Sequence, residues 1–148
     1  MDKLNLPEYN FNIKQINGSD YVFDKIRKKY YLLTPEEWVR QNFIEYLINE
    51  KNYPIGLIGV EQSLYLNKMK KRCDIIVYKN TMQPFIIIEC KAPSVKITQE
   101  TFTQVAIYNM AFNSNYIAVT NGINHYCCNI NHSNNTFQFI SEIPLYEK

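Results

Sequence analysis

The chain has 148 residues, of which 46% are hydrophobic and 20% charged; that is room for one domain with its own core rather than two, and it excludes a disordered chain. A net charge of +2 excludes a uniformly basic surface. Any nucleic-acid contact must therefore come from local clusters, of which Arg27-Lys28-Lys29 and Lys68 with Lys70, Lys71 and Arg72 are the two candidates.

Residues 1–20 are polar and rich in asparagine. They are expected to form an N-terminal extension with one short strand near residues 11–16, closed by an Asn17-Gly18 turn. Residues 21–148 are expected to be a single domain that opens with two short strands, 21–26 and 29–33, covering one side of it. Thr34-Pro35-Glu36-Glu37 then places a hydroxyl at an N-cap, proline at the first helical position and acids against free amides. Trp38, Val39, Phe43, Ile44, Leu47 and Ile48 recur at helical spacing, predicting a helix from Pro35 to about Glu50 that Asn52-Tyr53-Pro54 ends.

Beyond Pro54 the pattern turns to strands: 60–67, a charged turn over 68–72, then 73–78. After a second turn, Pro84 to Lys91 carries the strongest hydrophobic run, and its three consecutive isoleucines predict a central strand buried on both faces. A second helix is predicted over residues 98–111, packing through Phe102, Val105, Ala106 and Met110. Short strands at 116–120, 125–130 and 137–140 complete the order, which is helix, three strands, helix, two to three strands. Cys73, Cys90, Cys127 and Cys128 lack zinc-knuckle spacing and imply no disulfide framework. His125 and His132 have no acidic companions and read as core or surface residues. The start of the chain lacks an apolar signal segment and no stretch reaches membrane-span length, so a cytoplasmic protein without membrane contact is expected.

Chemistry concentrates at the end of the central strand. Glu89 and Lys91 are two apart, so they share one face while Ile88 and Cys90 take the other. Asp74 opens the preceding strand, and an antiparallel hairpin brings the start of one strand beside the end of the next. Two carboxylates with an ammonium beside them suit a hard cation such as Mg2+, with Mn2+ able to substitute. Asp74, Glu89 and the Cys90 backbone carbonyl would be its ligands, and Lys91 would face the attacking water and a phosphate.

These residues sit in an ordered set: Thr34-Pro35-Glu36-Glu37-Trp38-Val39-Arg40-Gln41, Arg72-Cys73-Asp74-Ile75-Ile76-Val77-Tyr78, Ile88-Glu89-Cys90-Lys91-Ala92-Pro93, Gln104 with Tyr108, and Thr120-Asn121-Gly122. The set resembles the PD-(D/E)xK nucleases, RecB-like, and within them the N-terminal nuclease domain of type I restriction enzyme R subunits in a stand-alone form. The resemblance implies a restriction-endonuclease-like α/β fold, a mixed central sheet flanked by helices. It implies catalytic roles for Asp74, Glu89, Lys91 and Gln104, with Tyr108 toward the site or the DNA. Lys70, Lys71 and Arg72 of the second cationic cluster would meet DNA, and Arg40 would pair with one of the acids or face phosphate. The first helix would supply one more acid, Glu37, with Glu36 and Glu61 as alternatives.

The implied activity is Mg2+-dependent DNA endonuclease cleavage in restriction or defence. Two other functions fit the same residues: a nuclease-fold module that binds nucleic acid or a partner without cutting, and a structural protein in which Glu89 and Lys91 form only an edge ion pair. No phosphate-binding loop is visible, so a separate motor or specificity protein is the expected guide to DNA, and two-strand cleavage would call for a homodimer.

Overall fold

Thr34 opens the first helix through its side chain, whose Oγ1 accepts the Glu37 amide at 3.0 Å, with Pro35 at the first helical position. In the computed structural model, which describes residues 1–146, α1 spans Pro35–Lys51 and ends on Asn52 at φ 61. That left-handed cap lets the Asn52 amide return to the Leu47 carbonyl.

A short 3-10 turn (Ile55–Leu57) leads into β4 (Ile58–Leu66), β5 (Met69–Tyr78) and β6 (Pro84–Cys90). Next come α2 (Gln99–Met110), β7 (Tyr116–Thr120), β8 (His125–Asn131) and β9 (Thr136–Ile140). These six strands form one sheet in chain order, antiparallel except for β6 and β7. The parallel pair follows from α2, which returns the chain so that β7 starts at the same end as β6. This is the mixed sheet with flanking helices that the sequence predicts, a restriction-endonuclease-like α/β architecture.

The three isoleucines of β6 serve both faces. Ile86 and Ile88, with Cys90, join the core built from Val39, Phe43, Ile44 and Leu47 of α1, whereas Ile87 packs with Cys73, Ile76 and Phe112 on the other side. Phe102 and Ala106 of α2 cover Ile117, Val119 and Cys128. The central strand is thus held between layers, with Pro84 and Glu89 half-buried and the residues between them buried. All four cysteines are free and buried, as space-filling thiols. No helix among the described residues is long and apolar enough to cross a membrane.

Ahead of α1, β1 (Ile13–Ile16), β2 (Ser19–Asp24) and β3 (Lys29–Leu32) form a separate antiparallel sheet. The boundary expected at residue 20 falls inside β2, and Ile13 pairs with Val22, so β1 belongs to the same sheet as the strands after it. The residues before β1 are tied down too. The Trp38 indole donates to the Asp2 carbonyl at 2.9 Å, and His125 Nε2 lies 3.0 Å from the Asn5 carbonyl.

One element differs from the expectation in a way that matters. Residues 69–72, expected in a charged turn, are strand, because the turn is confined to Asn67 and Lys68, both at positive φ (51 and 65) as a two-residue primed turn requires. Four cations in five residues look like a solvated loop in sequence, yet a ladder with one free edge tolerates them equally well.

Candidate active site

The register Ile75↔Ile88 puts Asp74 one step before its partner and Glu89 one step after. Opposite Asp74 on β4 lies Glu61, whose left-handed φ of 55 interrupts the ladder between Val60↔Ile75 and Gln62↔Cys73. Asp74 is held instead through its side chain. Its Oδ2 accepts the Cys90 amide at 2.7 Å, and Arg40 Nη2 stands 3.4 Å from its Oδ1. The carboxylate is thereby pinned to the strand that carries Glu89 and Lys91.

Lys91 Nζ lies 3.8 Å from Glu89 Oε2, and the Lys91 amide donates to the Thr120 carbonyl at 2.8 Å, which extends the β6–β7 pairing by one residue. The Glu89 and Lys91 side chains keep 26% and 32% of their surface open. Burial first, then the charge of Asp74 and a hydrogen bond with it, push the Glu89 carboxyl up to about 8, against the opposing pull of Lys91. Arg40 beside Asp74 and Lys91 beside Glu89 each answer part of the charge of this pair.

Of the first-helix acids, Glu37 is not the one at this centre. Its oxygens receive both Arg27 Nη2 contacts at 3.0 Å, Arg40 Nη1 at 2.6 Å and Gln41 Nε2 at 3.0 Å, and the residue is 6% exposed. A carboxylate so saturated has no oxygen left for a cation or a water. Glu36 is the acid that feels the site: burial and then the charge of Asp74 raise its pKa, while Arg40 and Lys91 lower it. The capping geometry at Thr34 explains the exchange, since it turns Glu37 inward and leaves Glu36 at the surface.

Arg40, expected either to pair with an acid or to face phosphate, is buried and spends its charge on acids. Besides Glu37 and Asp74 it contacts Glu61 Oε1 at 2.6 Å and Glu36 Oε1 at 3.4 Å. Asp24, Arg27 and Gln41 extend the chain of pairs toward β2. Arg27, read from the sequence as part of a cluster that could meet phosphate, is spent on Asp24 and Glu37 instead, and the sequence suggests no role for Asp24. The one signal available was a basic and an acidic residue beside a tight turn.

Gln104 and Tyr108 are both exposed on α2, one turn apart. Gln104 makes no hydrogen bond to Asp74 or Glu89 among the described residues. Lys71 Nζ sits 4.6 Å over the Tyr108 ring and 3.3 Å from its carbonyl oxygen, which ties β5 to α2. Arg72 is exposed and pairs with Glu61 Oε2 at 2.7 Å, and Lys70 is exposed.

Among the described residues no group of three or more His, Cys, Asp or Glu side chains forms a ready cage for a metal ion. Asp74 and Glu89 offer two carboxyl groups in hydrogen-bond contact, a donor set that suits a hard, hydrated cation in need of one or two carboxylates.

A family model described as Type I restriction enzyme R protein N terminus (HSDR_N) matches residues 35–144. No curated protein matches the sequence. Among solved structures, the chain is similar to a fragment described as an HsdR subunit of a type I restriction enzyme from Vibrio vulnificus YJ016, with 16% identity and a TM-score of 0.51. The similarity covers 76% of this chain and 24% of that one, so this chain spans about a quarter of the length of that structure. At this identity the likeness is one of fold.

Proposed function

The chain belongs to the family of type I restriction enzyme R protein N-terminal domains, and from that premise we propose that it is a nuclease-fold module acting on DNA, with a Mg2+-dependent phosphodiesterase centre at Asp74, Glu89 and Lys91. The observation that carries the reading is the Asp74–Glu89 pair: two carboxyl groups from neighbouring strands in hydrogen-bond contact, with an ammonium 3.8 Å from one of them. Such a pair is costly to maintain in a protein that does not use it.

In this reading Asp74 and Glu89, with the Cys90 carbonyl, would hold Mg2+ or Mn2+, which would supply charge neutralisation at the phosphoryl oxygens and acidify water. Asp74 enters the reaction already oriented, because the Cys90 amide and Arg40 fix its two oxygens. Glu89 must release its proton before it can bind a cation. Lys91, on the same strand face as Glu89, orients water and stabilises negative charge on the scissile phosphate. Gln104, Tyr108, Lys70, Lys71 and Arg72 would meet the DNA. A separate motor or specificity protein would direct the module, and a homodimer would serve two-strand cleavage.

A second reading keeps the module and drops the cleavage: the fold binds DNA or a partner protein, and the centre is idle. The contact between Arg40 and Asp74 favours it, since a guanidinium there already answers part of the charge that a metal would answer. Family membership and fold support the module itself, and the second reading asks for nothing beyond them.

Incubation of the purified chain with supercoiled, linear and single-stranded DNA in Mg2+ or Mn2+, beside Asp74→Ala and Lys91→Ala, separates them. Metal-dependent cleavage that both variants lose is the expected result. Cleavage that persists in both removes the centre, and DNA retention without cleavage in any metal leaves the second reading.

A further inference from the structure

β5 is ten residues long, but only Ile75 to Tyr78 pair with β6. Continuing that register, Cys90, the last residue of β6, falls opposite Cys73. Met69 to Arg72 therefore run past the end of β6, bonded only to β4 through Ser63↔Arg72, Leu64↔Lys71, Tyr65↔Lys70 and Leu66↔Met69. At about 3.4 Å per residue this two-stranded ribbon projects on the order of 13 Å from the sheet, with Asp74 at its root.

Two properties of the ribbon are unusual together. Lys68, Lys70, Lys71 and Arg72 are four cations in five residues of a chain whose net charge is only +2, so the rest of the molecule is acidic on balance. Lys68 and Lys70 are exposed and make no ion pair among the described residues. The same ribbon also exposes Tyr65 at 72% and Met69 at 64%, with Tyr65 directly opposite Lys70 and on its face. Solvent alone does not favour large apolar side chains on a strand pair with no third layer.

At the root the carboxylates of Asp74, Glu36 and Glu61 gather around Arg40 and consume its charge. The ribbon carries cations still open to a phosphate chain, Lys68 and Lys70, which make no ion pair among the described residues. Its cation density complements a polyanion, and its width is that of an element the major groove of a duplex admits.

We infer that the β4–β5 ribbon is a duplex-DNA arm. It enters the major groove tip first, so that Tyr65 and Met69, on opposite faces of the ribbon, both reach base edges, while Lys68, Lys70 and Arg72 take flanking phosphates and Lys71 braces the ribbon on α2. This deepens the proposed action on DNA and rests on it. It adds the apolar tip as a contact and the ribbon as the element that holds the duplex over the acidic centre.

Anisotropy of a short fluorescein-labelled duplex, titrated with the full chain in EDTA over a range of salt, tests the arm without any cleavage. Lys70→Ala should weaken binding and reduce the slope of log K against log salt by about 0.9, the share of one phosphate contact. Tyr65→Ala combined with Met69→Ala should weaken binding about tenfold and leave the slope unchanged. Lys14→Ala, in β1 of the far sheet, should bind as wild type, and thermal melts should show all variants folded. Methyl green, which occupies the major groove, should displace the chain.

Ribbon variants that bind like wild type, displacement by netropsin in place of methyl green, or equal affinity for polyglutamate would each overturn the arm. Absence of duplex binding by the wild type would overturn it as well, while the Asp74–Glu89 centre keeps its own test in Mn2+ binding.

Discussion

The guanidinium of Arg27, in the turn between β2 and β3, donates from Nη2 to both oxygens of Glu37 in α1 at 3.0 Å while its Nε holds Asp24 at 2.7 Å. The family match begins at residue 35, so a side chain from outside the matched segment completes the charge network behind the candidate centre. Arg27→Ala should leave Glu37 and Asp24 short of a buried counter-charge and cost about 3 kcal/mol. Denaturant titration monitored by circular dichroism checks this, and a loss under half a kcal/mol, about what a surface substitution costs, would show that the pair is not structural.

The two neighbouring acids of α1 should separate by phenotype. Glu37→Gln weakens the Arg27 and Arg40 pairs and should lower the melting temperature by several degrees. Glu36→Gln, at an exposed position that couples to Asp74, should leave melting nearly unchanged and alter apparent Mn2+ affinity. Equal effects of both variants on melting and on metal titration would contradict the assignment.

Glu89 sets the pH dependence. Its pKa is raised to about 8, so between the ordinary glutamate range and about 8 the folded state holds a proton that the unfolded state has lost. Stability of the metal-free protein should therefore fall as pH rises through that window, and Glu89→Gln should flatten the profile. Melts from about pH 5 to about pH 9 in EDTA read this directly. The same shift requires cation binding at neutral pH to release a proton, which calorimetry in buffers of different ionisation enthalpy detects. A pH-independent profile in the wild type would place Glu89 outside this environment.

Thr34→Ala removes the acceptor of the Glu37 amide and should cost about 1 kcal/mol. Because that cap also sets the inward aim of Glu37, the variant should affect stability more than Glu36→Gln does, and comparison of their melts provides the measurement.

Much of the molecule was legible without coordinates. The N-cap at Thr34, the helical stripe through Phe43 and Leu47, the isoleucines of β6 and the packing residues of α2 follow from local periodicity, and each occupies the expected element. The pairing of Asp74 with the end of β6 followed from hairpin connectivity. Less legible were the roles of Arg40, Glu36 and Glu37. Neighbouring positions on one helix differ by about 100° in direction, and the sequence does not say which direction meets the sheet edge. The ribbon was missed because charge density alone does not distinguish a solvated turn from a strand pair with a free edge.

The amino-acid sequence by itself determined the order of elements, the buried central strand and the membership of Asp74, Glu89 and Lys91 in one sheet edge, because these depend on periodicity and on short connections. Tertiary structure alone decided which charges are spent. It buried Arg40 among four carboxylates, saturated Glu37, left Glu36 facing the centre, and drew Arg27 and Asp24 into support from a second sheet. The physical reason is that a charge pairs with whatever the fold brings within a few ångströms, and burial strengthens that pairing through distances that spacing along the chain does not encode.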